Sequence, residues 1–172
     1  MRIQGAVALV TGASSGIGWA ISRRLAAAGA QVIAHGRDAA RLAELSQLTG
    51  ADVLTGDLAE PAGPAAIAER ASKIAERASK IDKAGGIDIL VNNAGIGWAG
   101  RFADMPGEQV AKLIEVNLRA PIELTRAVLP GMLARGGGHL VFVTSIAGRT
   151  GVAGEAVYSA TKAGLDAFAE SL

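Results

Sequence analysis

Thr11-Gly-Ala-Ser-Ser-Gly-Ile-Gly18 is the stretch of the sequence that decides the fold. It follows a short apolar run, Ala6–Val10, and precedes a segment with helical spacing. This arrangement predicts the first strand-to-helix turn of a parallel α/β sheet. Because glycine lacks a Cβ atom, Gly12 suits a sharp turn, Gly16 lets the backbone approach a phosphate, and Gly18 lets the helix pack closely on its strand. A phosphate at this place would meet the unpaired N–H groups of a helix N-terminus.

Composition narrows the classes of function before any single residue is considered. The 172 residues fit one domain, 1–172. The 17 basic and 16 acidic residues nearly cancel, and no basic stripe interleaved with aromatic residues indicates nucleic acid or an anionic membrane. No cysteine is present, which fits a reducing cytoplasm, and no apolar stretch approaches the ~20 residues of a membrane span. We therefore expect a soluble cytoplasmic protein that binds neither nucleic acid nor membrane.

The rest of the chain alternates between short apolar runs and helical spacing. After the first strand, strands are predicted at 31–35, 52–55, 87–91 and 139–143, and helices at 39–48, 63–84, 107–135 and from about 156 onward. Alternation at this pace implies right-handed βαβ units. The sequence thus predicts an α/β protein with a doubly wound parallel sheet of about five strands.

One helix carries a tandem repeat. The seven residues Ala-Glu-Arg-Ala-Ser-Lys-Ile at 68–74 recur letter for letter at 75–81. Seven residues add about 10 Å of helix and rotate it by only ~20°, so Ile67, Ile74 and Ile81 stay on one stripe. A coiled coil would need three or four such repeats. We therefore interpret the second copy as a lengthening of a surface helix that projects beyond the sheet.

Tyr158 and Lys162 lie four residues apart in the last predicted helix, which places both side chains on one helical face. A free phenol has a pKa of about 10, and a nearby ammonium group favours the phenolate, as proton transfer at neutral pH requires. Ser145 ends the fifth predicted strand, and its hydroxyl could hydrogen-bond the same substrate carbonyl. Tyr158 and Lys162 alone would be an ordinary exposed pair. With Ser145 they indicate hydride transfer to a carbonyl.

Taken in chain order, the motifs resemble those of the short-chain dehydrogenase/reductase family. They are the glycine loop with its T-G-x-x-x-G-x-G spacing, Asp57 after the third strand, Asn92-Asn-Ala-Gly95 after the fourth, Asn117, Ser145, and Tyr158 with Lys162. The resemblance implies a Rossmann-like fold with strand order 3-2-1-4-5, in a chain that stops before the last strands of the family. It also implies an NAD(P)-dependent oxidoreductase that interconverts an alcohol and a ketone or aldehyde, and a homo-oligomer, either dimer or tetramer.

The resemblance also implies roles for single residues. Tyr158 would be the general acid/base, Ser145 would polarise the carbonyl, and Lys162 would hold the nicotinamide ribose. Asn117 would hold a water in a proton relay, with a solvent-facing Asn as the alternative, and Asp57 would contact the adenine ring, with a loop carboxylate as the alternative. The remaining expected cofactor-binding residues lie in the loops that follow the first four strands: Gly12, Ser14, Ser15, Gly16, Ile17, Gly18, Arg37, Leu58, Asn93, Ala94 and Gly95.

The choice of cofactor depends on the end of the second strand. Gly36-Arg37 stands where an acidic residue would hold the ribose 2′-OH of NAD. A guanidinium pairs with a 2′-phosphate, which a carboxylate would repel. We therefore predict NADP, with NAD possible because Asp38 lies next door and could turn inward. No metal is predicted, since His35 and His139 are isolated and the carboxylates show no ligand spacing.

Two other functions stay open from the sequence. A catalytically impaired nucleotide-binding fragment, or an interaction protein with this fold, is favoured by the missing later segments of the family. An epimerase or dehydratase of the extended branch usually carries G-x-x-G-x-x-G, so the observed spacing argues against it. Trp98 is either part of a substrate pocket or a half-buried loop aromatic. The early stop is expected to leave strand 139–143 as an exposed apolar edge, prone to association.

Overall fold

The computed structural model describes residues 3–78 and 85–172. Five strands form one sheet: β1 (Val7–Val10), β2 (Gln31–Gly36), β3 (Asp52–Thr55), β4 (Ile89–Asn92) and β5 (His139–Phe142). Their order is β3-β2-β1-β4-β5, and all neighbouring strands run parallel. The predicted Rossmann-like fold and its strand order are therefore confirmed.

Helices cover both faces of this sheet: α1 (Gly16–Ala27), α2 (Ala39–Thr49), α3 (Gly63–Ala78), α4 (Gly107–Ile114), α5 (Ala120–Ala134), α6 (Ile146–Arg149) and α7 (Ala156–Glu170). Alternate strand residues enter two separate cores. Leu9 and Ile33 pack with residues of α3 and α5, whereas Ala8 and Ala34 pack with residues of α1 and α2. Burial on both faces explains why the central strands β1 and β4 are mainly apolar and do not alternate with polar residues.

The helix predicted at 107–135 consists of three parts. A π-helical turn, Glu115–Arg119, joins α4 to α5, and Asn117 lies at its centre. Pro121 falls in the first turn of α5. Proline has no N–H donor, so the widened turn before it explains how the helix continues past this residue. The short helix α6 was not predicted, because four residues are too few to show a helical period.

The tandem repeat is packed more deeply than the sequence suggested. Ile67, Ala71 and Ala75 follow one another at four-residue spacing along α3, and all three are buried in the same core cluster. Ala75 is the first residue of the second copy. The expectation that the second copy only extends the helix beyond the sheet is therefore wrong for its first turn. Ile81 lies outside the described residues.

β5 forms one edge of the described sheet. His139 and Val141 are exposed, and Leu140 and Phe142 are half-buried, so the expected apolar edge is present. Phe142 packs edge-to-face on Phe168 of α7, with ring centroids 5.8 Å apart.

None of the helices in the two described ranges combines the length and the apolar character that a membrane span needs.

Candidate active site

A cleft of about 670 Å³ opens at the carboxyl end of the sheet. Parallel strands bring all their carboxyl ends to one edge, and loops that follow all five strands contribute to its lining. The first half of α7 supplies Tyr158 and Lys162. Every residue of the predicted site lines this cleft except Gly18 and Asn117.

The glycine loop forms one wall of the cleft. Gly12 and Gly16 have φ angles of +67° and +52°, which side chains rarely allow. A Cβ atom on Gly18 would collide with the carbonyl oxygen of Gly12 and would lie 2.5 Å from Nδ2 of Asn93. α1 begins at Gly16, and the side chain of its N-cap residue, Ser15, makes no capping hydrogen bond. The first turn of α1 therefore lines the cleft with backbone N–H groups that suit an anion.

Thr11 and Asn93 join the loops that follow β1 and β4. The amide Nδ2 of Asn93 donates to the carbonyl oxygen of Thr11 at 2.8 Å. The Thr11 hydroxyl accepts from the backbone N–H groups of Asn93 and Ala94, both at 3.0 Å, and donates to the carbonyl of Val91 at 3.2 Å. Thr11 was missed as a site residue. A buried threonine that directly precedes the first glycine of the loop was its signal.

Arg37 and Asp38, which follow β2, have different surroundings. Arg37 is exposed and lines the cleft. Asp38 is the N-cap of α2, and its Oδ1 accepts from the backbone N–H of Arg41 at 3.0 Å. Asp38 is thus engaged in capping, and it is not among the residues that line the cleft. Of these two residues, the cationic Arg37 is the one that lines the cleft.

Asp57 and Leu58 follow β3 on the same side of the cleft. Oδ1 of Asp57 accepts from the backbone N–H of Ala59 at 2.9 Å, so the loop-carboxylate alternative describes one of its oxygens. The residue nevertheless lines the cleft, which leaves the expected adenine contact a prediction. Leu58 is buried in the core and also lines the cleft, so its position is fixed by packing.

His35 is a lining residue that the sequence did not single out for the site. Its side chain is buried, and Nε2 lies 3.2 Å from the carbonyl oxygen of Gly56. Burial lowers the pKa of His35 from 6.5 to about 4, and the nearby Arg70 acts in the same direction. The hydrogen bond to Gly56 and the charge of Asp57 oppose this change. The imidazole is therefore neutral at physiological pH, with its Nε2–H donated to Gly56.

We expect the buried His35 to make folding stability depend on pH. The unfolded chain binds a proton at this side chain near pH 6.5 and the folded chain only near pH 4, so stability falls as the pH decreases between these values. The full difference is about 3 kcal/mol. Urea unfolding of the wild type and of His35→Gln measures the effect between pH 7.5 and pH 4. The wild type should lose about this much more than the variant, and equal losses would contradict the assignment.

Tyr158, Lys162 and Ser145 all line the cleft. The Nζ atom of Lys162 lies 5.8 Å from the ring centroid of Tyr158 and donates to the carbonyl oxygen of Val143 at 2.7 Å. Lys162 is 4% exposed, and burial lowers the pKa of its ammonium group. Ser145 is the N-cap of α6, and its Oγ accepts from the backbone N–H of Ala147 at 3.2 Å. The structure thus brings together the three residues on which the chemical prediction depends.

Asn117 lies behind the cleft. Its Oδ1 accepts from the backbone N–H of Ile96 and its Nδ2 donates to the carbonyl of the same residue, both at 2.9 Å. Nδ2 also lies 3.3 Å from the hydroxyl of Thr161. Asn117 is fully buried, so the solvent-facing alternative is wrong. Its amide fixes the loop after β4 against α7, and the proton relay remains a prediction.

Trp98 is half-buried in a neighbouring pocket of about 460 Å³. This pocket lies between residues 98–105 and residues 153–157, and the backbone N–H of Gly100 donates to the carbonyl of Gly154 at 2.9 Å to join the two segments. Trp98 therefore lines a pocket beside the cleft and not the cleft itself.

In the described part of the chain, no three His, Cys, Asp or Glu side chains are grouped to hold a metal ion.

Comparison with known proteins points to one family. The family model described as short chain dehydrogenase matches residues 6–172. Among curated proteins, Dehydrogenase/reductase SDR family member 7B of Bos taurus is 36% identical over 99% of this chain and 53% of its own length. An uncharacterized oxidoreductase of Myxococcus xanthus is 42% identical over 96% of this chain and 64% of its own length. The chain thus spans between half and two thirds of these relatives.

Solved structures give the same result for the fold. A metagenomic short-chain oxidoreductase in complex with NADP superposes with a TM-score of 0.87 and 37% identity, covering 99% of this chain and 76% of that one. A 3-oxoacyl (acyl-carrier-protein) reductase from Agrobacterium tumefaciens C58 with NADP bound superposes with a TM-score of 0.89 and 34% identity, covering 98% and 64%.

Proposed function

Because the chain belongs to the short-chain dehydrogenase/reductase family, we propose that it is an NADP-dependent oxidoreductase that interconverts an alcohol and a ketone or aldehyde. The observation that carries this proposal is that Ser145, Tyr158 and Lys162 converge on the cleft that the glycine loop also lines. When bound, a nicotinamide cofactor supplies the hydride. The chain supplies binding, orientation and the proton.

The residues present fit a dinucleotide with a 2′-phosphate. Gly16 lines the cleft with no atom within 4 Å of the place where a Cβ would stand, and the first turn of α1 presents its N–H groups there. Arg37 would pair with the 2′-phosphate, and Asp57 and Leu58 would bound the adenine ring. Lys162 would hold the nicotinamide ribose. The two solved neighbours with bound NADP support this choice, and NAD is the alternative cofactor.

The proton chemistry follows from the hydrogen-bonding capacity of each group. The Tyr158 hydroxyl would donate its proton to the carbonyl oxygen during reduction and recover it during oxidation. Ser145 Oγ accepts from Ala147, so its own proton is free to be donated to the same carbonyl oxygen. The ammonium group of Lys162 would stabilise the phenolate that Tyr158 becomes. Asn117, held by Ile96 and Thr161, would position a water that returns the proton to Lys162.

A second candidate function has one observation in its favour. The chain spans 53% of the length of the bovine relative, so nearly half of that protein lies outside the match. The chain would then bind a nucleotide without efficient turnover. Cofactor binding is common to both functions, and turnover separates them. In either case we propose a homo-oligomer, which the exposed Val141 on the edge strand β5 favours.

Replacing Arg37 with Ala tests the choice of cofactor. We expect the Kd for NADP to rise by about 10- to 100-fold, because a charge-assisted hydrogen bond to the phosphate is lost. The Kd for NAD should stay unchanged. Calorimetric titration of both cofactors measures these values. Arg41→Ala is the matched control, since Arg41 pairs with Glu44 and stacks on Trp19. Equal NADP affinity in the wild type and Arg37→Ala would refute the pairing.

A further inference from the structure

Asp166 is a half-buried acidic residue that the proposed mechanism does not use. It lies on α7, and its Oδ2 atom is buried without a hydrogen-bond partner among the described residues. A buried carboxylate oxygen that accepts no hydrogen bond is unfavourable by itself. We therefore expect a positive charge near the carboxylate of Asp166.

The compensating charge lies one helical turn earlier on the same helix. Lys162 and Asp166 are four residues apart, so their side chains share one face of α7, with Cβ atoms about 6 Å from each other. Lys162 is 4% exposed and Oδ2 of Asp166 is buried, and the two charged groups lie more than 4 Å apart. Opposite charges that are shielded from solvent interact more strongly than they would in water.

α6 covers this turn of α7. A Cβ atom on Gly148 would lie 2.8 Å from the carbonyl carbon of Lys162 and 3.0 Å from Oδ2 of Asp166. Only a glycine lets the backbone of α6 approach this closely. α6 is also the helix that Ser145 caps. The contact at Gly148 therefore keeps water from Oδ2 of Asp166 and ties the helix that carries Ser145 to the turn that carries Lys162.

We propose that Asp166 is a positioning residue that acts through Lys162, because its buried carboxylate keeps the Lys162 ammonium group charged beside Tyr158. The charge effect follows from the contacts on α7 and α6. Its consequence for catalysis rests on the function proposed above. An uncharged Lys162 could neither stabilise a phenolate at Tyr158 nor bind a ribose as an ammonium donor.

The other charged groups near α7 are placed differently. Burial lowers the pKa of Lys162, and the charge of Asp166 opposes this. Elements packed against α7 carry the following further charged or titratable groups: Arg149 on α6, Glu115 and Arg119 in the π-helical turn, Glu108 and Lys112 on α4, and His139 in β5. Arg119 is paired with Glu115, and the other four are exposed. The ring of Tyr158 lies beside Lys162, and Glu155, the N-cap of α7, lines the cleft.

Titration of Lys162 tests the proposal without substrate or cofactor. The chain has five lysines, so ¹³C-labelled lysine gives a simple spectrum, and Lys162 is the signal lost in Lys162→Arg. We expect Asp166→Asn to lower the titration midpoint of Lys162 by about 1 pH unit. Asp166→Ala should do the same, which guards against a packing effect of the amide. Glu170→Gln removes an exposed charge one turn further along α7 and should leave the midpoint unchanged.

The pH profile of carbonyl reduction is the second measurement. In Asp166→Asn the loss of activity on the alkaline side should begin at lower pH by the same amount, whereas Glu170→Gln keeps the profile of the wild type. An unchanged Lys162 midpoint in both Asp166 variants would overturn the proposal, whatever the activity. A lowered midpoint in a chain that reduces no carbonyl would support the charge effect and contradict the proposed function.

Discussion

Tyr158→Phe is expected to lower kcat for carbonyl reduction by about 10²- to 10⁴-fold, the range that a general acid contributes. The substitution removes one oxygen and keeps the aromatic ring beside Lys162. Packing of α7 should therefore be preserved, and the Kd for NADPH should be nearly that of the wild type. Loss of NADPH absorbance measures turnover, and calorimetry measures binding.

Lys162→Ala provides the contrast for this variant. It removes the ammonium group beside Tyr158 and the donor to Val143, so both turnover and NADPH binding should weaken. If Tyr158→Phe instead keeps the kcat of the wild type, then Tyr158 does not supply the proton. The mechanism would then have to use another group in the cleft.

Gly18→Ala is expected to abolish cofactor binding and to lower the free energy of unfolding by about 1 to 3 kcal/mol, as overpacking does. The added methyl group would collide with the backbone oxygen of Gly12 and would lie 2.5 Å from the Asn93 amide. Backbone cannot give way as a flexible side chain can. The glycine loop would shift, and the network of Thr11 and Asn93 that joins it to β4 would be disturbed.

Gly97→Ala is the matched control, since Gly97 also lines the cleft but has no atom within 4 Å of the place where a Cβ would stand. This variant should keep the stability of the wild type. Urea unfolding and NADPH titration of both variants give the comparison. Equal behaviour of the two variants would show that Gly18 is not a close-packing position.

The fold could be predicted because its signals are local and repeated. Apolar runs such as Ala6–Val10 alternate with segments of helical spacing, and the glycine loop marks the first crossover between them. The lining of the cleft followed from the same pattern, since parallel strands bring their loops to one edge. Motif resemblance then identified Tyr158, Lys162 and Ser145, which the structure brings together.

What could not be predicted depends on contacts between distant segments. The residues next to Asn117 in the sequence do not show that its side chain bonds to Ile96, twenty-one residues away. Likewise, the residues next to His35 do not show that it is buried beside Gly56. Ala75 was assigned to a projecting helix because an alanine carries too little apolar surface to mark a core position by itself. Asp166 would be taken for an exposed helical carboxylate until the approach of Gly148 is known.

Transfer of deuterium from NADPH labelled at the reactive carbon of the nicotinamide tests the central claim most directly. The labelled cofactor is incubated with the wild-type chain and a panel of ketones, aldehydes and 3-oxoacyl thioesters, and the products are analysed by mass spectrometry. We predict that at least one product carries one deuterium on the carbinol carbon, and that Tyr158→Phe forms almost none of it. Tight binding of NADPH with no deuterium in any product would contradict the oxidoreductase proposal and leave a nucleotide-binding protein in its place.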